Sequence, residues 1–271
     1  MARILCNDVR FDAIEAVIFD KDGTLANSHQ YLRHLGEKRA DAIVGALRTA
    51  LDQEISLRFG RVVPQTQQIN WITLKTAILE TLGCNQASVD PAGRLAVGTR
   101  EENESAVASL LGEFASLLAE TGYNLNQARS LVQVAFLAAD RQLPRKAPLT
   151  PLFAGVIELV ESLYPVKLGI LSSDTEANIQ DFVKTYQLSP YFSAIVGAQS
   201  GISKPNPKLL ALVCEALNVE PEKALVIGDT SADTKLTPRS IGVTWGGSTI
   251  VQLDDAAAIA DQPADIRLCH I

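Results

Sequence analysis

Apolar and polar residues follow two different rhythms along this chain. Ile14–Phe19 is a short, nearly unbroken apolar run that reads as a strand buried on both faces. From about Ser28 to Asp140 the spacing becomes helical. Tyr31/Leu35, Ile43/Val44/Leu47/Leu51, Ile78/Leu79/Leu82, Ala106/Leu110/Leu111/Phe114/Leu117/Leu118 and Leu131/Val132/Ala135/Phe136 recur at three- and four-residue intervals. They predict four or more amphipathic helices, with breaks near Gly60–Thr66 and across Asn85–Gly98.

Beyond the Pro- and Arg-containing linker RQLPRKAPLTP (141–151), short apolar runs alternate with helix-length segments. Val166–Leu171, Ala194–Val196, Ala224–Ile227 and Gly242–Trp245 are the predicted strands. Short strands separated by helices form a parallel sheet covered on both faces. The simplest assembly adds Ile14–Phe19 to that sheet. It predicts an α/β doubly wound, Rossmann-like core from residues 1–26 and 151–271, with 27–150 as an inserted helical domain.

Composition narrows the function. With 24 Lys and Arg against 31 Asp and Glu the net charge is −7, which argues against a nucleic-acid surface. Cys6, Cys84, Cys214 and Cys269 are widely spaced and form no CxxC pair, so they read as free thiols rather than a disulfide framework or zinc site. No apolar run approaches the roughly 18 residues of a membrane span, and a soluble cytoplasmic protein is expected. The glycosylation sequon at Asn103 then has no role.

The chemistry gathers where the predicted strands end, which is where parallel sheets bind ligands. The first strand runs into Asp20-Lys21-Asp22, the second into Ser172-Ser173-Asp174. Gly201-Ile202-Ser203-Lys204-Pro205 follows the third, and the fourth ends at Asp229 with Asp233 four residues on. Each cluster has an ordinary structural reading alone. Asp-Gly marks a turn, Ser172 or Asp174 caps a helix, Asn206-Pro207 starts one after an exposed Lys204, and Thr230-x-x-Asp233 fits a capping box. Together they place three Asp, a Ser and a Lys on one rim, a concentration that packing does not require. A carboxylate can attack phosphorus to give an aspartyl-phosphate. That attack needs a hard cation such as Mg²⁺, cationic and hydroxyl groups for the phosphoryl oxygens, and an acid/base for the leaving oxygen.

FDKDGTL (19–25), ILSS (170–173), SKPNP (203–207) and VIGDTSAD (226–233), in that order, resemble the motifs of the haloacid dehalogenase superfamily of aspartate-nucleophile phosphotransferases. The resemblance implies Asp20 as nucleophile and Asp22 as general acid and base. It implies Ser172, Ser173 and Lys204 as phosphate ligands, and Asp20, Asp22 (through its carbonyl) and Asp229 around Mg²⁺, with Asp233 supporting the metal site or orienting Lys204. An acid at Asp22 is similar to the phosphatase and phosphomutase branches, and the helical insertion is similar to the family's α-helical cap, as in phosphoglycolate-type phosphatases. The expected partner is a small phosphorylated metabolite. A phosphomutase using the same residues, or a binding protein on this scaffold, are the alternatives. Lys21 reads as a solvated or supporting side chain rather than a phosphate contact. Asn27, Ser28 and His29 follow the catalytic loop. Arg61, Arg94 and Arg100 fall in expected cap breaks, with Arg100 the preferred contact for a substrate anion.

Overall fold

The computed structural model describes residues 2–59, 69–85, 88–116, 124–199 and 201–269. The break expected at Gly60–Thr66, Arg61, and the Leu117/Leu118 pair lie outside them. The chain divides into two compact units, Met1–Gln30 with Arg145–Ile271, and Tyr31–Pro144. Residues 145–150, assigned from sequence to the insertion, belong with the sheet.

In the first unit, β3 (Ala16–Phe19), β4 (Lys167–Leu171), β5 (Phe192–Val196), β6 (Ala224–Gly228), β7 (Ser240–Val243) and β8 (Ala258–Ala260) pair in parallel in the order β5-β4-β3-β6-β7-β8. Along β3 successive side chains alternate between two cores. Val17 and Phe19 pack with α6 (Val156–Leu163) and α7 (Glu176–Thr185), whereas Ala16 and Ile18 pack with α8 (Pro207–Leu217). Burial on both faces explains why these strands read as continuous apolar runs. The order grows outward on both sides of β3, so β4, β3 and β6 deliver their carboxyl ends side by side at the switch point.

The strand boundaries lie one or two residues from the sequence reading, β8 was not predicted, and two of the shifts are informative. The Ile14–Phe19 run is broken at Glu15, because Ile14 closes β2 (Val9–Ile14) and only Ala16–Phe19 enters the parallel sheet. The last predicted strand, Gly242–Trp245, ends at Val243, and Thr244 to Gly246 form a loop. A three-stranded antiparallel sheet, β2 with β1 (Ala2–Cys6) and β9 (Ile266–Cys269), was not anticipated and packs Ile4, Phe11 and Ile266 against the α6 side of the core.

The second unit is helical. The long α1 (His29–Phe59) leads into it from the sheet unit and is followed by α2 (Trp71–Thr81), α3 (Arg94–Val97), α4 (Arg100–Ser116) and α5 (Leu125–Arg141). Its core joins Ile43, Leu47 and Leu51 with Leu74, Ile78, Leu111, Val132 and Phe136. Asn124 caps α5 by accepting from the Gln127 N–H while Gln127 accepts from the Asn124 N–H, a reciprocal capping box. Where the chain leaves and rejoins the sheet unit, Ala26 bridges Leu152, the Asn27 N–H donates to the Pro151 carbonyl at 2.7 Å and the Phe153 N–H to Leu25 at 3.1 Å.

Candidate active site

The catalytic loop is built by its backbone. The Leu25 and Ala26 N–H groups both donate to the Lys21 carbonyl, and the Gly23 N–H donates to Ala26, so residues 21–26 close on themselves directly after β3. Gly23 takes φ +92°, and a Cβ there would stand 2.0 Å from Asp229 Oδ2. Only glycine fits both the left-handed backbone and the approach of that carboxylate. Gly246, in the loop after β7, closes the other side, where a Cβ would meet the Gly23 carbonyl oxygen at 2.3 Å. That loop is tied to the catalytic segment by Trp245 Nε1 donating to the Thr24 carbonyl (2.9 Å) and by His29 Nε2 against the Gly246 carbonyl (2.7 Å).

Four of the expected groups meet here. Oxygens of Asp20, Asp229 and Asp233 lie within 4.8 Å of one another, all buried. Lys204 reaches Asp20 Oδ1 at 2.5 Å and Asp233 Oδ1 at 2.6 Å. Asp233 also accepts from Thr230 Oγ1 at 2.6 Å and the Thr230 N–H at 3.2 Å, so its capping role and its hold on Lys204 coexist. Thr24 Oγ1 donates to Asp229 Oδ1 at 3.3 Å. Lys204 is only 5% exposed, although Asn206 and Pro207 do start α8 as expected. Ser172, buried at the end of β4, accepts from the Asp174 N–H, and Ser173 adjoins it.

The electrostatics of this cluster favour a further positive charge. Burial, and the neighbouring Asp233 charge against the relief from Lys204, lift Asp20 to about 7. Burial, Asp20 and Asp233 push Asp229 well above the carboxylate range. Burial opposes the charge of Lys204, but Asp20 and Asp233 outweigh it and hold the ammonium above the usual lysine range. Three carboxylates gather beside one lysine, which touches two of them, in an all-oxygen cradle. Its donor chemistry fits a hard divalent cation such as Mg²⁺, which would offset the excess negative charge.

The carboxylate of Asp22 stands apart from this group; the expectation for Asp22 at the metal concerned its backbone carbonyl, not this side chain. It faces Lys21 Nζ at 2.7 Å and Lys146 Nζ at 2.8 Å, both on Oδ2. Burial alone would raise its pKa, but Lys146 and then Lys21 hold it below the ordinary value. Lys21 is not solvated. It is 1% exposed, bridges Asp22 and Asp174, and lies 5.5 Å over the Phe182 ring.

Arg100 opens α4 and is paired with Glu104 (2.7 Å) and Asp140 (3.2 Å). Arg94 opens α3 and donates to the Thr81 carbonyl. Asn27 is exposed and Ser28 buried. Lys146 and the Thr244–Gly246 loop carry no local signal that would have placed them here, whereas Thr230 was marked by its capping-box spacing to Asp233.

The model of the haloacid dehalogenase-like hydrolase family matches residues 14–235. Phosphoglycolate phosphatase of Aquifex aeolicus is 39% identical over 75 residues, covering 27% of this chain and 35% of the relative. Phosphoglycolate phosphatase of Synechococcus elongatus is 30% identical over 126 residues, 44% of this chain and 56% of the relative. A phosphorylated carbohydrates phosphatase of Thermotoga maritima is 29% identical over 100 residues, 36% of this chain and 46% of the relative. The matches thus span from about a third to just over half of the length of these relatives. Among solved structures, a predicted phosphoglycolate phosphatase from Haemophilus somnus 129PT superposes with TM-score 0.57 at 17% identity, over 94% of this chain and 97% of the other. A haloacid dehalogenase-like hydrolase from Streptococcus pneumoniae gives 0.52 at 19%, over 94% and 97%. At such identities these two show a shared fold.

Proposed function

The chain belongs to the haloacid dehalogenase-like hydrolases, and on that footing we propose that it is a Mg²⁺-dependent phosphatase of small phosphate monoesters working through an aspartyl-phosphate on Asp20. The observation that carries this reading is the convergence of Asp20, Lys204, Asp229 and Asp233, with the Asp22 carboxylate held apart from them by two lysines.

One Asp20 oxygen attacks phosphorus, and the bond from phosphorus to the leaving oxygen breaks. Asp22 must hold a proton on Oδ1 at this step, against the pull of Lys146 and Lys21 on Oδ2, and gives it to that oxygen, so the alcohol departs neutral. Asp22 then takes a proton from water as the water attacks phosphorus, which frees inorganic phosphate and restores Asp20. Lys204 and the Ser172–Ser173 turn bind the phosphoryl oxygens. Asp20, Asp229 and the backbone carbonyl of Asp22 would hold Mg²⁺ with Asp233 in support, and the ion's charge would let an anionic nucleophile approach an anionic phosphate. The helical unit 31–144 serves as a cap that selects the leaving group. The substrate is a small phosphorylated metabolite of the phosphoglycolate type, in keeping with the activities named for the relatives. A dissolved substrate accords with a cytoplasmic protein, and among the described residues no helix is long and apolar enough to cross a membrane.

Hydrolysis of 4-nitrophenyl phosphate tests the reading. Turnover should require Mg²⁺ and be abolished by Asp20→Asn. Turnover that survives this substitution, or proceeds fully in chelator, would overturn it.

A further inference from the structure

Beside the carboxylate cluster lies a second buried charge group, made of Lys21, Asp22, Lys146 and Asp174. Each lysine touches both aspartates through one oxygen of each. Lys21 Nζ is 2.7 Å from Asp22 Oδ2 and 3.1 Å from Asp174 Oδ2, and Lys146 Nζ is 2.8 Å from both. All four side chains are at most 11% exposed. Two positive and two negative charges cancel, so the ring can be buried without an outside counter-ion.

The ring has a fixed end and a working end. Asp174 is fixed: its Oδ1 accepts from the Thr175 N–H at 2.8 Å and from Asn178 Nδ2 at 2.7 Å, in the first turn of α7. Arg145, next to Lys146, pairs with Asp181 of the same helix, and Tyr186 Oη donates to the Ala147 carbonyl at 3.0 Å. The segment that carries Lys146 is therefore itself fastened to α7. Asp22 is the working end. Both lysines take its Oδ2, and among the described residues its Oδ1 is buried with no hydrogen-bond partner. A buried carboxylate oxygen without a donor is costly, and one is kept where a reacting group will meet it.

We propose that Lys146, aimed by Asp174 and α7, is a positioning residue for proton transfer: with Lys21 it clamps Oδ2 of Asp22 and leaves Oδ1 as the one oxygen that can carry the proton to and from the reacting oxygens. This rests on the proposed phosphatase reading, which assigns the proton transfer to Asp22. The clamp removes rotation of the carboxylate about its last bond. It thereby replaces an ensemble of orientations with the reactive one, and a displacement of about 1 Å at such a group can cost about a hundredfold in rate.

The test separates positioning from plain structural support by changing the leaving group. Lys146→Met and the gentler surface change Asn178→Ala, which removes one of the two donors fixing Asp174, are compared with wild type. Two substrates are used: 4-nitrophenyl phosphate, whose phenolate leaves with little protonation, and the alkyl phosphate monoester that the wild type hydrolyses fastest. In Lys146→Met, kcat on the alkyl ester should fall about a hundredfold, with a much smaller loss on the aryl ester and little change in KM. Asn178→Ala should shift the same ratio in the same direction by less, which keeps the test decisive if Lys146→Met does not fold. Mg²⁺ affinity, read from the thermal shift on titration, should stay within about twofold of wild type because the clamp lies outside the carboxylate cluster. Equal losses on both esters, or no loss, would overturn the assignment. A wild type that hydrolyses no phosphate ester would instead sink the phosphatase reading itself.

Discussion

Lys204 brings its ammonium to within 2.5 Å of the Asp20 carboxylate from a position 184 residues further along the chain. It is also 2.6 Å from Asp233, so one buried cation is shared by two members of a three-carboxylate group. Removing it leaves those charges facing one another. Lys204→Met should therefore lower stability by about 3–5 kcal/mol without Mg²⁺ and cut kcat by about 10²–10³-fold. Denaturant unfolding with and without Mg²⁺ checks the first part, and added Mg²⁺ should recover much of the loss. A variant as stable as wild type in chelator would show that the ammonium does not hold this cluster together.

Gly246 admits no side chain, because a Cβ would also stand 2.7 Å from Asp229 Oδ2. Gly246→Ala should push Asp229 out of register with Asp20. The expected result is a destabilisation of about 1–3 kcal/mol with a weaker response of the thermal midpoint to Mg²⁺. Unchanged Mg²⁺ titration in a folded variant would mean that the loop yields rather than the carboxylate.

The helical unit has its own ion pair, buried on the arginine side. Arg39 binds Asp140 through Nε at 2.9 Å and a terminal nitrogen at 3.0 Å, and its guanidinium lies 4.4 Å from the Phe136 ring. Arg39→Met leaves Asp140 without this bidentate partner, and amide hydrogen exchange in α1 and α5 should accelerate while β3, β4 and β6 stay protected. Arg39→Lys should not restore protection, since a lysine supplies neither the fork nor the planar stack. Protection regained with lysine would show that charge alone suffices.

Three thiols give the fold a limit at high pH. Burial, which leads over nearby acidic charges, pushes Cys6, Cys84 and Cys214 from 9.0 to about 11. The folded state thus keeps its protons at pH values where the unfolded chain gives them up. Their contribution is complete below about pH 9 and is lost as pH climbs through 11. The denaturant midpoint should fall over that window, and less steeply after Cys6→Ala, Cys84→Ala and Cys214→Ala are combined. A thiol reagent on the native protein should label the partly exposed Cys269 well before the other three.

The parts of the molecule that were legible from sequence share one property: their signal is local. Ile18 and Phe19 precede Asp20, Leu171 precedes Ser172, and Ile227 and Gly228 precede Asp229, so a few consecutive residues announce both a buried strand and the polar group at its end. The antiparallel sheet was missed because Val9–Ile14 exposes Val9 and Arg10 and buries only Phe11 and Ile14, a pattern too short and mixed to separate from a loop. Lys146 was beyond reach for a different reason. It sits in a Pro- and Arg-containing linker that reads as solvated, and its partner Asp22 is 124 residues away. For Lys21 the sequence left a solvated and a supporting side chain open, and only Asp174, brought beside it by the fold, decides for the supporting one. Long-range pairing of charges leaves no periodicity to read.

The pinch at which Ala26 bridges Leu152 and Asn27 binds Pro151 has an evolutionary consequence. Its hydrogen bonds belong wholly to the sheet unit, so the strands on either side hold their register whatever happens between them. The entropy of closing a chain over such a pinch grows only with the logarithm of the length it spans. Residues 31–144 are thus a module that lineages can lengthen, trim or exchange while the strands and the polar groups at their ends inherit an unchanged frame.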